Sequence, residues 1–150
     1  MEELKKYLTR LGACRLAGEA DSIESALSLM FTPQGREFCI MTGFPTLEFL
    51  RRHKEELAAL PGVYLDCGCI SIQSITPSTP HLLIAGSATV SVNISQPSLL
   101  HKIIVAHSAS LRLSAGGHAV ATVGIVGDAA LEVTDDGTAK VTIERLRHEQ

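Results

Sequence analysis

The sequence predicts an α+β protein: a small helical cap over residues 1–62, followed over 63–150 by a β-solenoid, a parallel β-helix built from strand units of about ten residues. Three observations predict it. All six aromatic residues (Tyr7, Phe31, Phe38, Phe44, Phe49, Tyr64) fall in the first 64 positions of the 150-residue chain, so two differently built parts share it. The first part carries apolar residues at helical spacing. The second repeats a short alternating motif at a fixed period, the mark of a repeat architecture.

In the first part Leu4, Tyr7, Leu8 and Leu11 recur at i, i+3, i+4, i+7, and Gly12 stops the helix they define. Asp21 or Ser22 is an N-cap for a second helix with the stripe Ile23, Ala26, Leu27 and Met30, ended by Thr32-Pro33. A third is expected from about Pro33 to Thr42, with Phe38 and Met41 as its large apolar residues and Gly43 as its breaker. The fourth starts in Phe44-Pro45-Thr46-Leu47-Glu48, turns Leu47, Leu50 and Leu57 inward, and closes at Leu60-Pro61-Gly62. The run Arg51-Arg52-His53-Lys54 is read as a solvated face paired with Glu48, Glu55 and Glu56, which sit at helical spacing from it.

The repeat is Gly-x-Ala-x-φ-x-φ, with φ aliphatic. It begins at Gly86, Gly117, Gly127 and Gly137, with His107 standing at the Gly place of a further copy. The starts at 107, 117, 127 and 137 are ten apart, and the gap from 86 to 107 fits two units plus one extra residue, which predicts a degenerate copy near 97–103. Asp66-Cys67-Gly68-Cys69-Ile70-Ser71-Ile72 is read as the first copy. Within a unit the Ala and both aliphatic positions are two apart and share one face of a strand, while the residues between them are mostly polar.

A solenoid coil of two units stacks Ala on Ala and aliphatic on aliphatic, whereas a hairpin would set Ala against Leu or Val. The alternative is an antiparallel β-meander or sandwich, for which Thr134-Asp135-Asp136-Gly137 is a suitable hairpin turn. The solenoid also supplies its own crossover between parallel neighbours. Asp, Glu, Lys and Arg are absent from 67–101, which fits either solvation by Ser, Thr, Asn and Gln or cover by the helical part or a subunit contact. A solenoid leaves strand edges open at its ends. The helical part is expected to cover one and the charged tail from Arg145 to protect the other.

Thirteen Lys and Arg against sixteen Asp and Glu give a net charge of −3, which argues against nucleic acid as a partner. No apolar run is long enough for a membrane helix and no signal peptide is visible, so no membrane partner is expected and the expected place is the cytoplasm. Cys14, Cys39, Cys67 and Cys69 are expected as free thiols, and Asn93-Ile94-Ser95 matches a glycosylation acceptor by chance.

Cys67 and Cys69 are expected to point the same way and could offer two thiolates to a metal, with His81 or His53 beside them, but zinc sites need a second spaced pair and buried thiols are the expectation. His107 and His118 fall at turns. Asp128 is placed one coil from Ser108 and near the His107 corner, where a catalytic pair would need a substrate cleft. No catalytic, cofactor-binding or metal-binding residue is assigned, no cofactor is expected, and an enzyme is the least supported class.

Glu37-Phe38-Cys39-Ile40 and Phe44-Pro45-Thr46-Leu47-Glu48-Phe49-Leu50-Arg51, followed by the units at His107, Gly117 and Gly137, give the chain a resemblance over about 14–143 to a family of small uncharacterised proteins encoded in prophages and mobile elements of gut bacteria. The resemblance implies a helical cap on a β-solenoid and a phage-associated setting, in the host cytoplasm or in a phage particle. It brings no site residues. A more distant likeness, through the solenoid alone, is to bactofilin-like polymers. The expected function is a non-enzymatic structural or assembly protein that self-associates through solenoid surfaces, with a phage or host protein as a further partner. The alternative is a binding module whose flat β-face recognises a carbohydrate or a protein, although the lack of aromatics counts against sugar stacking.

Overall fold

The computed structural model describes residues 30–43, 46–72, 81–95 and 100–145. The expected helices over 4–11 and before Met30, Cys14, and the tail after Arg145 lie outside them.

Helix α1, Pro33–Thr42, has the expected bounds. The Thr32 hydroxyl accepts from the Gly35 N–H at 3.1 Å, and Gly43 ends the helix in the left-handed conformation (φ 76°), donating to the Cys39 carbonyl. Its inward residues are Arg36, Cys39 and Ile40, whereas Met41, one of its large apolar residues, is 64% exposed. The expected fourth helix is two: α2, Leu47–Arg52, capped by Thr46, and α3, Lys54–Ala58, separated by a break at His53. Leu50 and Leu57 are fully buried as expected.

Nine strands follow among the described residues: β1 Val63–Leu65, β2 Gly68–Ile72, β3 His81–Ala85, β4 Ala88–Ile94, β5 Leu100–Ala106, β6 Ser110–Ala115, β7 Val120–Val126, β8 Ala130–Asp135 and β9 Lys140–Arg145. Odd strands form a five-stranded sheet and even strands a four-stranded one, and every pairing is parallel. This is a β-solenoid, and the meander is excluded. The Thr134–Gly137 turn joins strands of two different sheets. Register fixes the coil: Val63, Leu83, Ile104, Gly124 and Glu144 form one column, so the period is 20 residues, with 21 between Leu83 and Ile104. The extra residue falls where the repeat spacing put it, and the degenerate copy near 97–103 is β5.

Two strands, β1 and β3, carry no recognisable unit. Through β3 and the second halves of β5 and β7 the sheet of odd strands is buried on both faces, so it reads there as continuous apolar runs such as His81-Leu82-Leu83-Ile84-Ala85. Its inner face, with that of the even sheet, fills the lumen with Ile84, Val90, Ile103, Val105, Leu111 and Val123, all 0–1% exposed. Burying a side chain of this size contributes about 1.5–3 kcal/mol. Its outer face carries Leu83, Ala85, Ile104, Ala106 and Val126, and the helices pack there with Cys39, Ile40, Leu50 and Leu57. The described helices α1 to α3 therefore lie along the side of the solenoid and not across an end, because this outer face is apolar and needs cover. The charge-free stretch divides accordingly: Leu83 and Ala85 lie under helices, while Thr89, Ser91 and Asn93 face outward on β4.

The corners repeat in columns too. At the odd-to-even turn Asp66, Gly86, His107 and Gly127 all have positive φ (54°, 71°, 48° and 68°), so His107 and Asp66 occupy a glycine-like conformation. A Cβ at Gly86 would run into the Asp66 carboxylate.

Gly124 has a different use. It stands in a column of Val, Leu and Ile, and the stem of Arg36 crosses over it: a Cβ there would meet Arg36 Cγ at 3.0 Å. Arg36 thereby reaches Glu144 on β9 and forms a bidentate pair at 2.8 and 3.1 Å. Gly124→Leu is expected to push Arg36 off this path and cost roughly 1–3 kcal/mol, read as a lower urea midpoint. Thr89→Ala on the outward face should change the midpoint little, within about 0.5 kcal/mol.

Candidate functional site

The last coil presents the most unusual surface of the described residues. Its lumen-side positions repeat those of the coil before, but nothing described lies beyond them. Leu111 and Leu113 are 1% exposed, and their successors Leu131 and Val133 are half-buried. Val123 is 0% exposed and its successor Ile143 is 43% exposed. Among the described residues the outer edges of β8 and β9 have no strand partner, so their outward backbone groups stand ready to pair.

Charge enters the same coil. Asp135 takes the register position of buried Ala115, and Arg145 that of buried Ile125. Asp136, in the turn after β8, accepts from the Thr138 N–H and hydroxyl, which holds its carboxyl below the usual range. Arg36 likewise lowers the Glu144 carboxyl. At the opposite end Tyr64, Cys67, Ile70 and Ile72 are half-buried against the lumen core.

The corner that carries Ser108 and Asp128 assembles as the period predicts. Asp128 accepts from the Ser108 N–H at 2.8 Å and its hydroxyl at 3.3 Å, and Ser108 has φ 73°. His107 stands in the column of Gly127, and a Cβ at Gly127 would meet its Nδ1 at 2.9 Å. Asp128 thus serves the strained turn by binding Ser108 directly. His118 is an exposed turn residue whose N–H donates to the Thr138 hydroxyl at 3.2 Å.

The two cysteines diverge. Cys67 turns toward the lumen and Cys69 is exposed in the outward column of Thr89, because Gly68 between them has φ 72° and breaks the strand alternation. The expectation of two buried thiols sharing a face is corrected on both counts. Burial pushes the Cys67 thiol up, and the Cys39 thiol up to about 12. His81 lies on the other sheet, stacked on Phe31 with ring centroids 4.8 Å apart, and burial, helped by Lys102, lowers its pKa. His53 is bonded to Glu56 at 3.1 Å in the break between α2 and α3. Among the described residues no group of three or more His, Cys, Asp or Glu could hold a metal ion.

The basic run is paired, partly with unexpected partners. Arg52 meets Glu48 at 3.1 Å, but Arg51 makes two 3.0 Å bonds to Asp66 in the first turn of the solenoid. The second carboxylate contact at Asp66 is the Ser87 N–H at 2.7 Å. Sequence reasoning did not find this tie, the Arg36–Glu144 pair, or His101, which is 1% exposed at the register position of Ala121. Glycine at 124 in an aliphatic column was the available signal for the second.

The even sheet turns a flat face outward, with columns Thr89–Ser110 and Ser71–Ser91 and a shallow hollow of about 330 Å³ lined by Thr89, Ser110, Arg112 and Glu132. Among the described residues no helix is long and apolar enough to cross a membrane. No protein-family model matches the chain, and no match is found among curated proteins or solved structures.

Arg51 first, with the Ser87 N–H, holds the Asp66 carboxyl down at about 2 against an unfolded value of about 3.9. The tie therefore stabilises the fold fully above the unfolded value and is lost as pH falls through about 2. Acid titration of the urea midpoint should show this loss. Asp66→Asn, which keeps the turn conformation, should flatten the curve between about pH 4 and 2, and an unchanged slope would count against the pairing.

Proposed function

We propose that this protein is a non-enzymatic structural or assembly component that associates with itself through its solenoid. The observation that carries this reading is the last coil, whose lumen residue Ile143 is 43% exposed beside strand edges that have no strand partner among the described residues. Exposed parallel edges over apolar side chains favour addition of further strands. The resemblance of the Phe44-Pro45-Thr46-Leu47-Glu48 segment and the repeats to prophage-encoded proteins supports a phage-associated setting, in the host cytoplasm or within a particle, with a phage or host protein as additional partner. The net charge of −3 supports a partner other than nucleic acid.

A second reading has an observation of its own. The even sheet's outward columns of Ser and Thr make a regular polar face on which a carbohydrate or protein could be held by hydrogen bonds.

Light scattering over a broad concentration series is expected to show a mass that rises above that of one chain. A constant single-chain mass would remove the assembly reading. Specific capture on a glycan array, abolished by Ser91→Arg, would favour the second.

A further inference from the structure

Among the described residues the odd sheet has five strands and the even sheet four, so β9 overhangs β8 and leaves a ledge one strand high, about 4.8 Å. We propose that two copies join last coil to last coil about a two-fold axis, the overhanging β9 of each filling the ledge above β8 of the other. This rests on the self-association reading and specifies its surface.

The ledge decides the arrangement. Head-to-tail stacking does not close: if β1 of the next copy pairs with β9, the place above β8 stays empty, and if β2 takes that place, β1 collides with β9. A two-fold axis that sets β9 on β9 leaves both ledges empty. The axis that exchanges the two sheets closes both joints at once, each sheet gaining the other sheet of the second copy. Successive strands of a flattened coil run in opposite senses, so β9 meets the partner β8 antiparallel, which forms a regular ladder.

The charges fit the same arrangement. On β9 the cations Lys140 and Arg145 remain, since Arg36 already neutralises Glu144. On β8 and its two turns Asp128, Asp135 and Asp136 remain, Glu132 being already paired with Arg112 at 3.6 Å. The exchange lays the basic strand of one copy on the acidic strand of the other, and half-buried Leu131, Val133 and Val141 and exposed Ile143 meet beneath. A two-fold contact is self-complementary and stops at two.

The test uses the full chain with C14S, C39A, C67S and C69S, to which T134C and T142C are added on the outward faces of β8 and β9. Across an antiparallel joint these positions lie roughly 5–8 Å apart, within reach of a short bismaleimide, whereas within one copy they face opposite sides. The expected result is a covalent dimer and nothing larger from the double variant, and none from either single cysteine. Absence of the dimer while light scattering still reports association would overturn this arrangement and leave the assembly reading standing. Monomers by both methods would remove both. Ile143→Asp in the otherwise natural chain checks the joint without the cysteine changes. It should weaken association at least about tenfold while Ser91→Asp leaves it unchanged, and equal effects would also overturn the arrangement.

Discussion

Parallel, in-register stacking at a period of twenty residues is the constraint on which the rest of the molecule depends. Each side chain has as its nearest neighbours the residues one coil before and one coil after, so chemistry is organised in columns. A column can hold only what packs against a near-copy of itself, hence Ala109 below Ala129 and Leu111 below Leu131. Rings are scarce in the lumen columns of the described residues: Tyr64 packs against the core in the first coil, and His101 stands 1% exposed at the register position of Ala121. The same rule repeats positive φ down the corner column Asp66, Gly86, His107 and Gly127, where two residues other than glycine, Asp66 and His107, accept it.

The helices depend on the columns in turn. The outer face of the odd sheet is apolar for most of its height, and α1 to α3 complete its burial. Two bidentate pairs anchor this layer near opposite ends: Arg51 to Asp66 in the first coil, and Arg36 to Glu144 in the last. Such bonds add direction to a contact that apolar packing alone leaves free to slide.

Legibility in the sequence followed the environment of each sheet. The even strands have one face in the lumen and one in water, so their alternation was visible, and with it the period, the extra residue and the Ser108–Asp128 contact. Among the odd strands β7 and β9 keep enough alternation to show their units at Gly117 and Gly137, but β3 is covered on both faces and loses it, and β1 and β3 went unread. Placement of the helices was hidden because the apolar outer columns lie interleaved with the lumen columns in the same strands. The break at His53 leaves no Gly or Pro signal. The divergence of Cys67 and Cys69 depends on one positive φ at Gly68, which a strand-like pattern does not disclose. Arg36 and Glu144 are 108 residues apart, beyond any local pattern.

The Arg36–Glu144 pair also gives the solenoid a length gauge. A coil-sized deletion or duplication keeps every ladder in register, so nothing in the repeats themselves fixes how many coils the chain has. The helical layer does, because its span is set by its own packing: one coil fewer or more would displace the final strand by about 4.8 Å and carry the carboxylate away from Arg36, a residue only 9% exposed. Drift in repeat number, the commonest change open to a repetitive chain, is thereby opposed by a single cross-connection outside the repeats.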